Sequence, residues 1–181
     1  MGMDFMPTHL EYMRNILKLV VIIMGYALCG SSQSAIEILP PEKIVNLIPD
    51  KIKEFHLSTD PQSKLIRLGT LRYSMAEKNF SGSHKRSIKI LLFDYKEAPI
   101  MYNQATRKFN TFTPVESDSL IMRSVLMSDC TGWESYNINR RSSQILLGVC
   151  NRFFLTVEGT NVDLEFLKKV VQNFKFETFP K

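Results

Sequence analysis

An α+β fold is expected: a single domain, mainly antiparallel β-sheet with helices packed on it, preceded by an N-terminal signal helix. Three observations predict it. Apolar residues at every second position over 71–75, 88–92, 145–149 and 153–157 are the pattern of half-buried strands. Short polar turns separate these runs, which suits antiparallel neighbours. The last segment changes to a helical period, so the order is helix, strands, crossover, strands, helix, not alternating βαβ units.

The N-terminal segment comes first. Arg14 and Lys18 precede an unbroken apolar run, residues 19–29, and Gly30-Ser31-Ser32-Gln33-Ser34-Ala35 follow. A basic start, a short apolar stretch and a small-residue exit are the three parts of a secretory signal peptide. The run is short of the ~20 residues that span a bilayer. It also lacks the 3.6-residue periodicity of a buried core helix. Ser32 and Ser34 permit cleavage before Ala35, and Cys29 and Ser31 permit it before Ser32. The expected division is therefore an N-terminal extension and signal peptide, residues 1–34, and an exported α+β domain, residues 35–181. Met13, followed by Arg-Asn-Ile-Leu-Lys, is the more typical start of a signal peptide, which marks the first twelve residues as an extension. Periplasmic or secreted location is expected. The alternatives are anchoring through residues 19–29 uncleaved, or lipidation at Cys29, although Leu28 is larger than a lipidation signal wants.

In the body, 40–49 reads as a short helix, with proline in its first turn and Glu42 at the positive end of the dipole. Phe55 and Leu57 are anchors in a connecting segment, and Ser58-Thr59-Asp60-Pro61 is turn chemistry. Gly69 opens a strand, Thr70 to Phe80, in which Leu71, Tyr73 and Met75 alternate with Arg72, Ser74 and Ala76. The return strand is Ser87 to Tyr95. Its Ile88, Ile90 and Leu92 face is apolar, and Leu91 and Phe93 add apolar character to the other, so a central position covered on both sides is expected. Residues 98–109 read as a helix or irregular crossover. Strands follow at Ser119 to Met127, Gly132 to Tyr136 and Ser143 to Val149. Trp133 and Tyr136 read as core or cross-strand partners.

A register can be derived for the last hairpin. A three-residue loop Cys150-Asn151-Arg152 sets 149/153, 147/155 and 145/157 opposite each other and puts all six side chains on one face. Asn151 tolerates the left-handed backbone such a loop needs. The final helix is expected over Val162 to Phe174, capped by Asn161 or Asp163, with an apolar stripe from Val162 to Phe174.

These segments, from Gly69…Ser74-Met75-Ala76 through Gly132-Trp133-Glu134-Ser135-Tyr136 and residues 151–159 to Val162-Asp163, resemble a loose group of small exported bacterial α+β proteins of unknown function. Their spacing is also similar to that of PsbP-like accessory proteins. The resemblance covers nearly the whole body. It implies the fold and export and brings no catalytic residues with it.

Composition and motifs narrow the chemistry. Of 181 residues, 44% are hydrophobic and 23% charged, which excludes a fully disordered or collagen-like chain. The net charge is +5, and residues 35–181 keep all of it, with 21 basic against 16 acidic residues. The basic residues form scattered doublets without interleaved aromatics, unlike a nucleic-acid surface, so no nucleic acid is expected as a partner. Lys85, Arg86, Arg140 and Arg141 lie at hairpin ends that can converge, and are candidate contacts for an anionic surface. Outside that reading, the charges are a solvated surface.

No G-x-S-x-G elbow and no phosphate-cradling glycine loop is present. His56 and His84 lack partners at metal-ligand spacing, so neither a metal nor another cofactor is expected. If the Trp133 and Leu147 strands pair about a turn centred near Arg140, the paired residue numbers sum to 280 and Cys130 falls opposite Cys150. These two are the candidate disulfide in an oxidising compartment, the alternative being two thiols packed as small hydrophobes.

The expected function is that of a non-enzymatic binding or accessory domain of the bacterial cell envelope. The alternative is an envelope hydrolase with an unrecognised site. The envelope partner is open: protein, anionic lipid or polysaccharide. Membrane attachment is expected only through the signal segment, if uncleaved or lipidated.

Overall fold

The structure, a computed structural model, describes residues 37–109, 111, 113–127 and 130–181. The expected signal segment, with Met13 and Cys29, lies outside them. The described part has α+β architecture: nine antiparallel strands in one sheet, and a few short helices.

Helix α1 (Pro41–Ile44) has proline at its first position and Glu42 in its first turn. It tightens into a 3₁₀ turn, Val45–Leu47, and buries Ile44 and Ile48 against the sheet. Two strands then appear that the sequence pattern hid. Strand β1 (Phe55–Leu57) and strand β2 (Gln62–Leu68) share one partner, the long strand β3 (Leu71–Gly82). Gly69 therefore does not open a strand. With Thr70 it forms a two-residue turn that sets Leu68 opposite Leu71. Its φ of +60° suits glycine at the first central turn position.

Strand β4 (Ser87–Asp94) follows β3, and helix α2 (Pro99–Thr106) carries the chain away from the sheet centre. Strands β5 (Val115–Glu116), β6 (Leu120–Met127), β7 (Cys130–Asn137), β8 (Ser142–Val149) and β9 (Phe153–Thr160) return in sequence. The sheet order is β1-β3-β4-β9-β8-β7-β6-β5, with β2 beside β3. Two meanders are thus joined where β4 meets β9.

The β8–β9 register is the expected one: 149/153, 147/155 and 145/157 stand opposite each other. Cys150 (φ +53°) and Asn151 (φ +49°) make the left-handed turn, and the Arg152 N–H donates to Val149 O at 3.1 Å. All six apolar side chains are buried, together with Ile88, Ile90 and Leu92. Helix α3 (Leu164–Gln172) covers this face through Leu164, Leu167, Val170 and Val171. Of the two expected caps, Asp163 is the one used: its carboxylate accepts the Phe166 N–H at 2.7 Å. Such a cap contributes about 1 kcal/mol.

β4 is central and covered on both sides, as its two apolar faces require. On the second face Phe93 touches Tyr73, Tyr95 and Phe154, and Phe109 stacks on Phe154. The deeper face of β3 differs from the expected one. Ser74, Ala76, Lys78 and Phe80 are buried, whereas Tyr73 and Met75 are half-buried. Polar residues can occupy that face because each has a partner. Lys78 Nζ donates to Ile48 O (2.7 Å) and Asp50 Oδ1 (2.6 Å), and Ser74 Oγ donates to Leu39 O.

One buried ion pair ties the parts together. Arg152 donates through Nε to Asp94 Oδ1 (2.7 Å) and through Nη2 to Oδ2 (2.6 Å). The same carboxylate accepts the Leu39 and Lys96 N–H groups, and Arg152 Nη2 also reaches Glu37 O at 2.9 Å. The segment entering α1 is thereby fixed to the β4–β9 seam.

Candidate functional site

The four basic residues singled out from the sequence come together at one end of the sheet. The reason is topological. Thr160, at the end of β9, stands opposite Ser87 on one side and Ser142 on the other. The β3–β4 hairpin, bearing Lys85 and Arg86, therefore flanks β9 across from the β7–β8 hairpin, bearing Arg140 and Arg141. Asn161 joins the two. Its backbone N–H donates to Arg141 O at 2.7 Å, and its side-chain amide donates to Lys85 O at 3.0 Å.

Each hairpin is tightly built. In the first, the Arg86 N–H closes on Ser83 O at 3.2 Å, and both central residues, His84 and Lys85, have φ of +57°. This is the primed geometry that normally selects asparagine and glycine. In the second, Asn137 Oδ1 accepts the Arg140 N–H at 2.9 Å, the Arg141 N–H closes on Ile138 O at 3.3 Å, and Arg141 has φ of +46°. Left-handed backbone costs an L-residue roughly 1–2 kcal/mol. Two long cations thus occupy positions where glycine is the locally stable choice. Residues that break a local rule in this way concentrate at functional sites.

Only one of the four cations is engaged. Arg86 pairs with Glu54 at 3.2 Å and lies 5.1 Å over the Phe55 ring. Lys85, Arg140 and Arg141 are exposed and form no ion pair among the described residues. Ile138, in the same loop, is a large apolar side chain left 39% exposed. The sequence reading missed Ile138 and Asn161, whose roles appear only when the two hairpins are seen side by side. Asn161 had the residue type for a left-handed loop position, and its φ is +54°.

Lys85→Gly is expected to raise the unfolding free energy by about 0.5–1 kcal/mol, because glycine removes left-handed strain but adds unfolded-state entropy. Urea unfolding checks this. A lower midpoint would show that the Lys85 side chain supports the hairpin.

No protein-family model, curated protein or solved structure matches the chain. The site is therefore read from its chemistry.

The cysteine expectation needs correction. Asn137 stands opposite Ser142, so the β7–β8 pairs sum to 279 and the loop is Ile138–Arg141, four residues long. The Asn137 side chain and the Arg141 φ select that length. Carried to the end of β7, this register sets Cys130 opposite Val149, one residue short of Cys150, and no disulfide joins the two. Both instead line one cavity of about 640 Å³, with Asn151, Phe174, Phe176 and Glu177.

A second cavity, of about 300 Å³, adjoins the Arg140 loop and is lined by Asn137, Ser142, Gln144, Glu158 and Thr160. A third, of about 480 Å³, lies beside Asn46, Asp50, Asn173 and Lys175. His56 and His84 are exposed and line none of these three. Among the described residues, no three His, Cys, Asp or Glu side chains gather as a metal site. Trp133 is buried, as a core partner should be.

Proposed function

We propose that this chain is an exported, non-enzymatic accessory domain, residues 35–181, that binds an anionic partner at the bacterial cell envelope. The convergence of Lys85, Arg140 and Arg141 on one sheet end, free of ion pairs among the described residues, carries the reading. Export is supported by the charge and apolar pattern of residues 14–35. The hydrolase alternative has neither His56 nor His84 at the three cavities and would rest on a carboxylate base, Glu158 beside Ser142 or Glu177 beside Cys150.

The test has two parts. N-terminal sequencing of the exported product is expected to start at Ser32 or Ala35. Retention of that exported product on envelope membranes is expected to fall at least ten-fold for Lys85→Glu/Arg140→Glu/Arg141→Glu, and to weaken with salt for the wild type. Equal, salt-independent retention of both would overturn the reading.

A further inference from the structure

We infer that the partner at the basic end is an anionic lipid surface, with Ile138 entering the headgroup layer beside the cations. This rests on the reading of that end as a binding surface, and it specifies what is bound.

Three features favour lipid over an acidic polymer. The first is the placement of Ile138. It sits at the start of the Ile138–Arg141 loop, with Arg140 and Arg141 after it, and keeps 39% of its surface exposed. A branched aliphatic side chain gains nothing from a hydrated polysaccharide. Against a bilayer it moves apolar area out of water while neighbouring cations meet phosphate.

The second is residue choice. Residues 83–86, 138–141 and 161–163 contain no Trp, Tyr or Phe to stack on a sugar ring. They offer Lys, Arg, Ser, Asn and His84 with one exposed aliphatic residue, Ile138, and one exposed carboxylate, Asp163; the second aliphatic residue, Val162, is buried. The third is preorganisation. Asn161 fixes the two hairpins to each other through backbone carbonyls, which leaves the side chains of Lys85 and Arg141 unencumbered. Little ordering remains to be done on contact.

Asp118 borders this edge, in the turn whose Ser119 carbonyl accepts the Ile138 N–H at 3.0 Å. Arg86 is partly neutralised by Glu54. Among the described residues of this end the free cations are therefore Lys85, Arg140 and Arg141, and the carboxylates of Asp118 and of Asp163, which caps α3, offset part of their charge. Each basic residue at an anionic surface strengthens binding about five-fold.

The test uses the full chain with phosphatidylcholine vesicles, with and without phosphatidylglycerol. The apolar run at 19–29 can bind either kind, so a readout local to the loop is needed. Ile138→Trp supplies it, with wild-type Trp133 as background and lipids brominated in their acyl chains as quenchers. The expected result is quenching at position 138 by vesicles containing phosphatidylglycerol and not by phosphatidylcholine alone. Adding Lys85→Gln/Arg140→Gln/Arg141→Gln should abolish that quenching and lower the phosphatidylglycerol-dependent affinity roughly 100-fold.

An indole at 138 that stays unquenched on bound protein would overturn lipid insertion. Binding to heparin that depends on the same three residues, with no preference for phosphatidylglycerol, would overturn the lipid assignment and leave the anionic-partner reading standing. Independence of both ligands from all three residues would overturn both.

Discussion

Asp94→Ala is expected to destabilise the protein by about 3–5 kcal/mol, the range for removing one member of a buried ion pair. The charge of Arg152, itself 3% exposed, would remain in the interior without its counter-ion. The loss extends beyond the pair. The half-buried Leu39 N–H and the Lys96 N–H would lose their acceptor as well, which adds to the cost. Guanidinium unfolding measures the change. Asp94→Leu/Arg152→Met separates the charge from its geometry: removing both partners should recover much of the loss, because well-packed apolar replacements of buried pairs are often neutral. A single-variant loss below about 1 kcal/mol would mean that water reaches this seam and that the pair is not insulated.

Gly132→Ala is expected to cost about 3 kcal/mol or more, at the upper end of overpacking effects. A Cβ at this position would lie 1.9 Å from Leu146 O and 2.8 Å from Leu147 Cδ2. The first contact is backbone in the neighbouring strand, so relief requires β7 and β8 to separate. Gly148→Ala is the comparison. There the nearest atom, at 2.6 Å, is the Tyr102 phenol oxygen at the end of a side chain that can turn aside. Its cost should be smaller, about 1 kcal/mol. Thermal or urea unfolding of the two variants under one condition checks the order. Equal losses, or a larger loss at Gly148, would contradict the close β7–β8 approach.

How far the fold can be read from the chain depends on burial. Strands β4, β8 and β9 carry one apolar face into the core, so their alternation is strong and their register follows from parity. Strand β2 has polar and apolar residues exposed on both faces, so Gln62–Leu68 shows no period. What makes it a strand is the Gly69-Thr70 turn and a ladder to β3, information held in the partner. On β3 itself the apolar pattern pointed to the wrong face, because Ser74 and Lys78 are buried by virtue of acceptors at Leu39, before α1, and at Ile48 and Asp50, after its 3₁₀ turn. A polar residue carries no local mark of such a partner.

The candidate site was legible as four cations at hairpin ends. Their convergence depends on β4 and β8 lying on either side of β9, which no window of sequence contains. The β7–β8 register missed by one because β7 buries Gly132, Trp133 and Glu134 in succession, so it has no clean alternation from which parity could fix the loop length. The Asn137 side chain decides between them.

The joining of the two meanders at β4 and β9 has a consequence for the order of assembly. The β3–β4, β7–β8 and β8–β9 hairpins close over loops of about three to five residues, a small entropic penalty met early. Asp94 must instead find Phe153, and Ser87 must find Thr160, across most of the second meander. Such non-local pairing is what slows the folding of β-proteins. We therefore expect collapse into two hairpin arrays, followed by a rate-limiting zipping of β4 onto β9 in which Asp94 meets Arg152. Refolding rates of Asp94 variants, set against their unfolding rates, would register whether that seam is already closed at the barrier.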